Sequence, residues 1–152
     1  MKITTLCYLE KEGYVLMLHR TKKKEDENAG KWIGVGGKLE ENETPLECIK
    51  REIQEETGLI VEKVKERGIL FFVLPKWENE LTFLYTADEF KGELKECNEG
   101  ELRWIKKEEV LNLSLWEGDR AFLPLLLNSN ERINMKLTYN QEDELVSVVK
   151  EK

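Results

Sequence analysis

The chain has 152 residues, 40% of them hydrophobic and 36% charged, with a formal charge of −7. That is enough apolar material for a proper core, and residues 1–152 are expected to form a single domain. The acidic balance lacks the basic stripe of a general nucleic-acid binder, and no apolar run approaches the roughly 20 residues of a membrane span. A nucleic-acid polymer and a membrane are therefore not expected partners.

In chain order, residues 6–10 and 14–20 read as two strands of a hairpin that turns at residues 11–13. The opening MKITTLCYLEKEG is too short an apolar run, and too soon charged, for a signal peptide. Cys7, Cys48 and Cys97 are odd in number, widely spaced and form no C-x-x-C pair. They read as buried free thiols in a reducing compartment, which points to the cytoplasm. His19, the only histidine, reads as structural. Residues 21–31 form a charged loop, with Lys22, Lys23 and Lys24 as solvated turn charge. The stretch WIGVGG (residues 32–37) looks like a short strand whose glycines allow close approach of a ligand or another strand.

A helix follows with good punctuation. Thr44 is a suitable N-cap, Pro45 fits the first helical position, Glu47 completes a T-x-x-E capping box, and Gly58 supplies the stop. Residues 69–75, 81–87 and 101–105 read as strands, and residues 106–113 and 119–128 as short helices. Residues 132–140 and 144–150 form a closing hairpin. Strands mixed with a few helices, without regular βαβ alternation, indicate an α+β arrangement with helices on both sides of a mixed sheet.

At 100° per residue, Glu52, Glu55 and Glu56 fall within an arc of about 100° on that first helix. They sit beside an apolar stripe of Leu46, Ile49 and Ile53 that must face the core. Two carboxylates about 6 Å apart, at an effective dielectric near 20, repel by roughly 3 kcal/mol. Arg51 relieves part of this through its i+4 relation to Glu55 and its i−4 relation to Glu47. One arginine does not balance so many acids. A hard divalent cation does, because it takes oxygen ligands and bridges carboxylates to phosphates. A solvated acidic face is the bland reading of a bare E-x-x-E-E.

The wider spacing decides between them. Gly37, five residues, Glu43, seven residues, then Arg51-Glu52-Ile53-x-Glu55-Glu56-x-Gly58-Leu59 matches the box G-x5-E-x7-R-E-U-x-E-E-x-G-U, with U a bulky aliphatic. The chain resembles the Nudix, or MutT-like, hydrolases. The resemblance implies an α/β/α sandwich whose loop-helix-loop holds divalent metal ions, Mg²⁺ with Mn²⁺ as the substitute. It also implies hydrolysis of a nucleoside diphosphate linked to another group. By position, Glu52, Glu55 and Glu56 become metal ligands, helped by the carbonyl of Gly36, while Glu43 and Arg51 brace the loop and helix. Lys38 and Arg20 face the phosphates. Glu99, in a loop just before a strand, adds a further carboxylate as metal ligand or general base, with Glu101 as the competing choice. Whether Glu52 or Glu99 is the base is left open.

Residues 113–127 are the second informative stretch. Trp116 can stack on a purine, and Asp119 can accept hydrogen bonds from its amino or imino groups. The whole chain is similar to the oxidised-purine nucleoside triphosphatases within this family. That likeness implies a Mg²⁺-dependent pyrophosphohydrolase that turns 8-oxo-dGTP and related triphosphates into the monophosphate and pyrophosphate. Two departures concern the base. Vertebrate members carry two consecutive aspartates after Trp-Pro, where this chain has WEGD, leaving Asp119 beside Gly118. Their asparagine after the tryptophan is Ile33 here. A nucleotide sugar, a dinucleoside polyphosphate or an RNA 5′ end is the alternative substrate class. A non-catalytic binding module is the reading from outside enzymology, and it would be expected to lack box acids. A monomer or a homodimer is expected.

Overall fold

The computed structural model describes residues 1–21 and 27–151, so Lys22, Lys23 and Lys24 lie outside the described residues. Alternation along the first two strands sets the layering. Strand β1 (Lys2–Lys11) turns Cys7 and Leu9 to one face and Tyr8 to the other, and β2 (Tyr14–Arg20) divides Leu16 from Val15 and Met17 in the same way. Successive side chains point to opposite faces, so an unbroken apolar run is what a strand covered on both sides requires. The hairpin closes as expected, with Glu10 opposite Val15 and Lys11 opposite Tyr14. Strand β1 begins at Lys2, well before the expected residue 6.

The other elements are β3 (Trp32–Ile33), β4 (Val35–Lys38), α1 (Pro45–Thr57), β5 (Lys65–Val73), β6 (Glu80–Ala87), β7 (Gly100–Lys106), α2 (Glu117–Asn128), β8 (Ile133–Tyr139) and β9 (Leu145–Lys150). The strand order is β3-β2-β1-β6-β5-β8-β9, with β4 also on β1 and β7 also on β2. Pairs β1–β6 and β5–β8 are parallel, which makes the sheet mixed. Helix α1 covers one face, packing Ile49 and Ile53 on Cys7, Leu9, Leu16 and Val35. Helix α2 covers the other, with Phe122, Leu123 and Leu126 among Tyr8, Met17, Leu84 and Leu137. Each such buried side chain contributes roughly 1.5–3 kcal/mol. The α+β reading holds as an α/β/α sandwich. Among the described residues no helix is long and apolar enough to cross a membrane.

Three local expectations change. The single strand at residues 32–37 is two strands: β3 pairs with β2, then β4 pairs with β1. At the switch, a Cβ on Gly34 would lie 2.7 Å from the Cys7 carbonyl, so only glycine passes. The segment at 106–113 winds as a 3₁₀ turn (Lys107–Asn112) without a side-chain cap; a six-residue piece is short enough for that tighter winding. Leu46, expected in the core stripe, is 46% exposed. It has the right angular position but stands in the first turn, and the buried face is instead Cys48, Ile49, Ile53, Glu56 and Thr57.

The ends of α1 are as the sequence predicts. Thr44 Oγ1 accepts from the Glu47 amide and the Glu47 carboxylate accepts from the Thr44 amide. Gly58, at φ 81°, closes the helix in the left-handed region. Helix α2 is anchored by a residue the sequence does not flag. Arg67 on β5 is buried and donates to the carbonyls of Leu126, Ser129 and Glu131, satisfying acceptors that the helix end leaves open.

Candidate active site

The three acids of α1 are not equivalent. Glu56 points inward and is 7% exposed, whereas the Glu55 side chain is 60% exposed. Glu52 lies between them and packs its carboxyl group against Gly37, where a Cβ would come within 2.6 Å of it. The acids therefore run from the interior outward rather than lying together at the edge of the buried side. One oxygen of Glu56, Oε1, accepts from the Gly36 amide at 3.0 Å, and among the described residues no donor reaches its buried Oε2. A Cβ at Gly36 would stand 1.9 Å from the Thr5 carbonyl, so glycine is what lets β4 bring that amide to the helix.

Burial pushes the Glu56 carboxyl well above its ordinary pKa, and the nearby Glu99 and Glu52 charges push it further. Burial also raises Glu52, partly offset by Arg51. Glu99 is brought in by the loop before β7. A carboxylate oxygen of Glu99, one of Glu56 and the Cys97 sulfur all lie within 4.8 Å of one another. Glu99 also pairs with Arg20 at 3.2 Å. Glu101, the competing choice, is exposed and pairs with Arg103. A buried carboxylate oxygen without a donor, converging with a second carboxylate, is a fit for a divalent cation.

Arg51 stands behind this group. Its guanidinium donates to both oxygens of Glu43 at 2.6 and 2.9 Å, to Glu52 at 2.7 Å, to Glu55 at 3.1 Å and to the Lys38 carbonyl at 3.3 Å. Those hydrogen bonds hold the Glu43 carboxyl down at a pKa of about 2. The expected partner Glu47 is instead committed to the capping box, so Arg51 reaches back to the loop and ties it to the helix. His19 stacks on Trp32 with ring centroids 4.4 Å apart, a packing role as read. Cys7, Cys48 and Cys97 are buried thiols, and none is in a disulfide among the described residues.

A cleft of about 420 Å³ begins at this carboxylate wall. Glu52, Glu99, Gly36, Lys38 and Arg20 line it together with Trp116, Asp119 and Ile33. The structure thus brings together most of the residues singled out in the sequence, with Glu43, Arg51 and Glu56 behind the wall and Glu55 on its outer side. Trp116 is fixed by donating from Nε1 to Asn28 Oδ1 at 2.8 Å and by an edge contact to Tyr139. Asp119 is buried, and its carboxyl is pushed up to about 7 by burial and by Glu80, against Lys31 and Arg120.

The departure at Gly118 has a physical reason. The Gly118 amide donates to the Tyr139 hydroxyl at 2.6 Å, and a Cβ there would meet that same hydroxyl at 2.6 Å. Tyr139 fills the space that a second aspartate side chain would need.

The sequence did not reveal the polar floor of the cleft. Lys2 pairs with Glu27 at 2.6 Å and with Glu80 at 3.6 Å, and Thr4 donates to Glu80 at 2.8 Å and bonds Thr82 at 2.9 Å. Lys2 and Thr4 alternate in phase with Leu6 on β1, which was the available signal. It is lost when the strand is started at residue 6.

Comparison with known proteins identifies the family. The NUDIX domain family matches residues 2–126. An uncharacterised Nudix hydrolase of Bacillus subtilis is 28% identical over 148 residues, covering 94% of this chain and 90% of the relative. An oxidised purine nucleoside triphosphate hydrolase of Danio rerio is 32% identical over 127 residues, covering 83% of this chain and 80% of the relative. The crystal structure of a MutT protein from Bacillus halodurans superposes with a TM-score of 0.89 at 31% identity, covering 99% of this chain and 98% of that one.

Proposed function

The chain belongs to the Nudix family and is a hydrolase of that family, and from this premise we propose that it is a Mg²⁺-dependent nucleoside triphosphate pyrophosphohydrolase. Its substrates are oxidised purine nucleotides such as 8-oxo-dGTP, released as the monophosphate and pyrophosphate, which clears damaged precursors before they enter DNA. The observation that carries the reading is one cleft joining a convergent carboxylate cluster to the half-buried Trp116 and the buried Asp119. Relatives named for oxidised purine nucleoside triphosphates and for 8-oxo-dGTP support the substrate class.

Residues 1–152 act as one catalytic unit, working as a monomer or homodimer, with free thiols suited to the reducing cytoplasm. Glu52, Glu55, Glu56 and Glu99, with the Gly36 backbone beside them, are the residues that would hold the metal ion. A divalent cation held there neutralises phosphate oxygens and lowers the pKa of an attacking water. Glu52, whose carboxylate Arg51 fixes at the cleft wall, takes the water's proton. Glu99 stays paired to Arg20, and Arg20 and Lys38 present positive charge to the phosphates. Glu43 and Arg51 fix the positions of Glu52 and of the loop. Trp116 stacks on the base and Asp119 accepts from it; Ile33 offers only apolar contact.

The deciding assay follows pyrophosphate and phosphate release, with and without Mg²⁺, across 8-oxo-dGTP, dGTP, dATP, ADP-ribose and diadenosine polyphosphates. Preferred turnover of 8-oxo-dGTP to its monophosphate is the expected result. Preferred turnover of ADP-ribose or a dinucleoside polyphosphate removes the base assignment and leaves the metal centre. No Mg²⁺-dependent hydrolysis of any of them sinks the catalytic reading.

Asp119 carries a second expected result. Its carboxyl titrates near 7 in the folded chain and near 3.9 unfolded. Because the folded value is the higher one, its stabilising contribution is complete below about pH 4 and is lost as pH rises through 7. Asp119→Asn should remove that loss. Denaturant unfolding between pH 4 and pH 8 should show the parent falling by on the order of 4 kcal/mol relative to the variant. Parallel curves for the two proteins would show that Asp119 is not the strained acid described here.

A further inference from the structure

The carboxylate cluster has a third member that the mechanism above leaves idle. Cys97 is 4% exposed, and an antiparallel bridge between Cys97 and Gly100 pins the loop that presents it. That pinned loop delivers two donors to the same place, the Cys97 sulfur and a Glu99 carboxylate oxygen, within 4.8 Å of each other and of a Glu56 oxygen. The second observation is independent of the cysteine. Glu56 is itself more than nine-tenths buried, its Oε1 is taken by the Gly36 amide, and no donor reaches Oε2. Burying such an acceptor without a donor is costly, and a cation resolves it.

A set of oxygens alone would favour hard ions, which accept carboxylate, carbonyl and water. Adding a thiolate changes the preference, because soft sulfur donors select ions of the zinc type over Mg²⁺ at comparable geometry. Of the other two thiols, Cys48 is engaged with Thr5 and the Gly37 carbonyl, and Cys7 is completely buried on the sheet. Among the described residues, Cys97 is the cysteine whose sulfur lies within 4.8 Å of Glu56 and Glu99 oxygens.

Resting on the metal-centre reading above, we propose that Cys97 is a ligand of this centre, which therefore takes a thiophilic divalent cation through the Cys97 sulfur together with Glu56 and Glu99. When the metal–sulfur bond forms, the S–H bond breaks and its proton leaves to solvent, as for any thiol ligand. Hard ions use the same carboxylates without engaging the sulfur. The centre is thus open to competition between the two classes of ion, and Cys97 sets the outcome.

Cobalt(II) is the probe, because sulfur ligation gives a near-ultraviolet charge-transfer band that oxygen ligation does not. The intact protein titrated with Co²⁺ should show that band. Cys97→Ser should abolish it and weaken Cd²⁺ binding by more than the roughly 10–100-fold that losing a hydrogen-bonding partner of a ligand costs. Mn²⁺ binding, followed by its paramagnetic resonance, should hardly change in the same variant. Cys48→Ser should keep the band. If the serine variant does not fold, the spectrum of the intact protein still decides. Co²⁺ that binds without a sulfur band, or a band that survives in Cys97→Ser, overturns the proposal and leaves the metal centre standing. Absence of both Co²⁺ and Mn²⁺ binding overturns the proposal and the metal-centre reading together.

Discussion

Glu56→Gln should abolish Mg²⁺-dependent turnover while making the metal-free protein more stable. The residue is buried, shares its surroundings with Glu52 and Glu99, and has one oxygen without a donor. Loss of a metal ligand removes several kcal/mol of transition-state charge stabilisation, which is roughly a thousandfold in rate. In the metal-free protein the sign is the opposite. A carboxyl whose folded pKa is raised contributes stability below its unfolded value and loses it as pH rises. The amide carries no charge at any pH, so the variant avoids that loss. Thermal unfolding at neutral pH should place metal-free Glu56→Gln above the parent, and added Mg²⁺ should raise only the parent. A variant that is both less stable and still raised by Mg²⁺ would show that Glu56 is an ordinary packed residue.

Arg51→Lys should separate charge from geometry. Lysine keeps the positive charge but cannot hold both Glu43 oxygens, Glu52, Glu55 and the Lys38 carbonyl at once. With the loop untied from α1, Glu52 loses its fixed position, and turnover should fall roughly 10–100-fold, as when supporting partners of metal ligands are removed. The acid limb supplies a readout independent of activity. Glu43 titrates near 2 because of Arg51, so its contribution to stability is present above its unfolded value and is lost only as pH falls through 2. Weakening the pair raises the folded value toward the unfolded one. The acid-unfolding midpoint should therefore move to higher pH in Arg51→Lys. An unchanged midpoint with full activity would mean that the bracing role is dispensable.

Glu56 and Arg51 are both legible in the chain itself as members of the box. The helix was readable to its end residues because its punctuation is local. Thr44, Pro45, Glu47 and Gly58 act through backbone groups within a few residues of themselves. The covered strands were readable because apolar runs have no other stable place. The roles of Arg51, Leu46 and Tyr139 were not readable in that way. Helical periodicity offered Glu47 as a partner of Arg51, but whether a cap or a cross-loop acid wins depends on where the preceding loop lies. Periodicity likewise put Leu46 on the inner face, whereas in the first turn of the helix it stays largely exposed.

What the sequence determined by itself is the loop-helix-loop and the family it belongs to, since a fixed spacing of glycine, arginine and glutamates is a statement about neighbours along the chain. What only the tertiary structure decided is which acid is buried, which loop supplies Glu99 and Cys97, and how Lys2, Glu27 and Glu80 meet beneath the cleft. Those arrangements join residues tens of positions apart. Their energies come from desolvation and from charges brought within a few ångströms, and neither quantity exists until the sheet has set the distances.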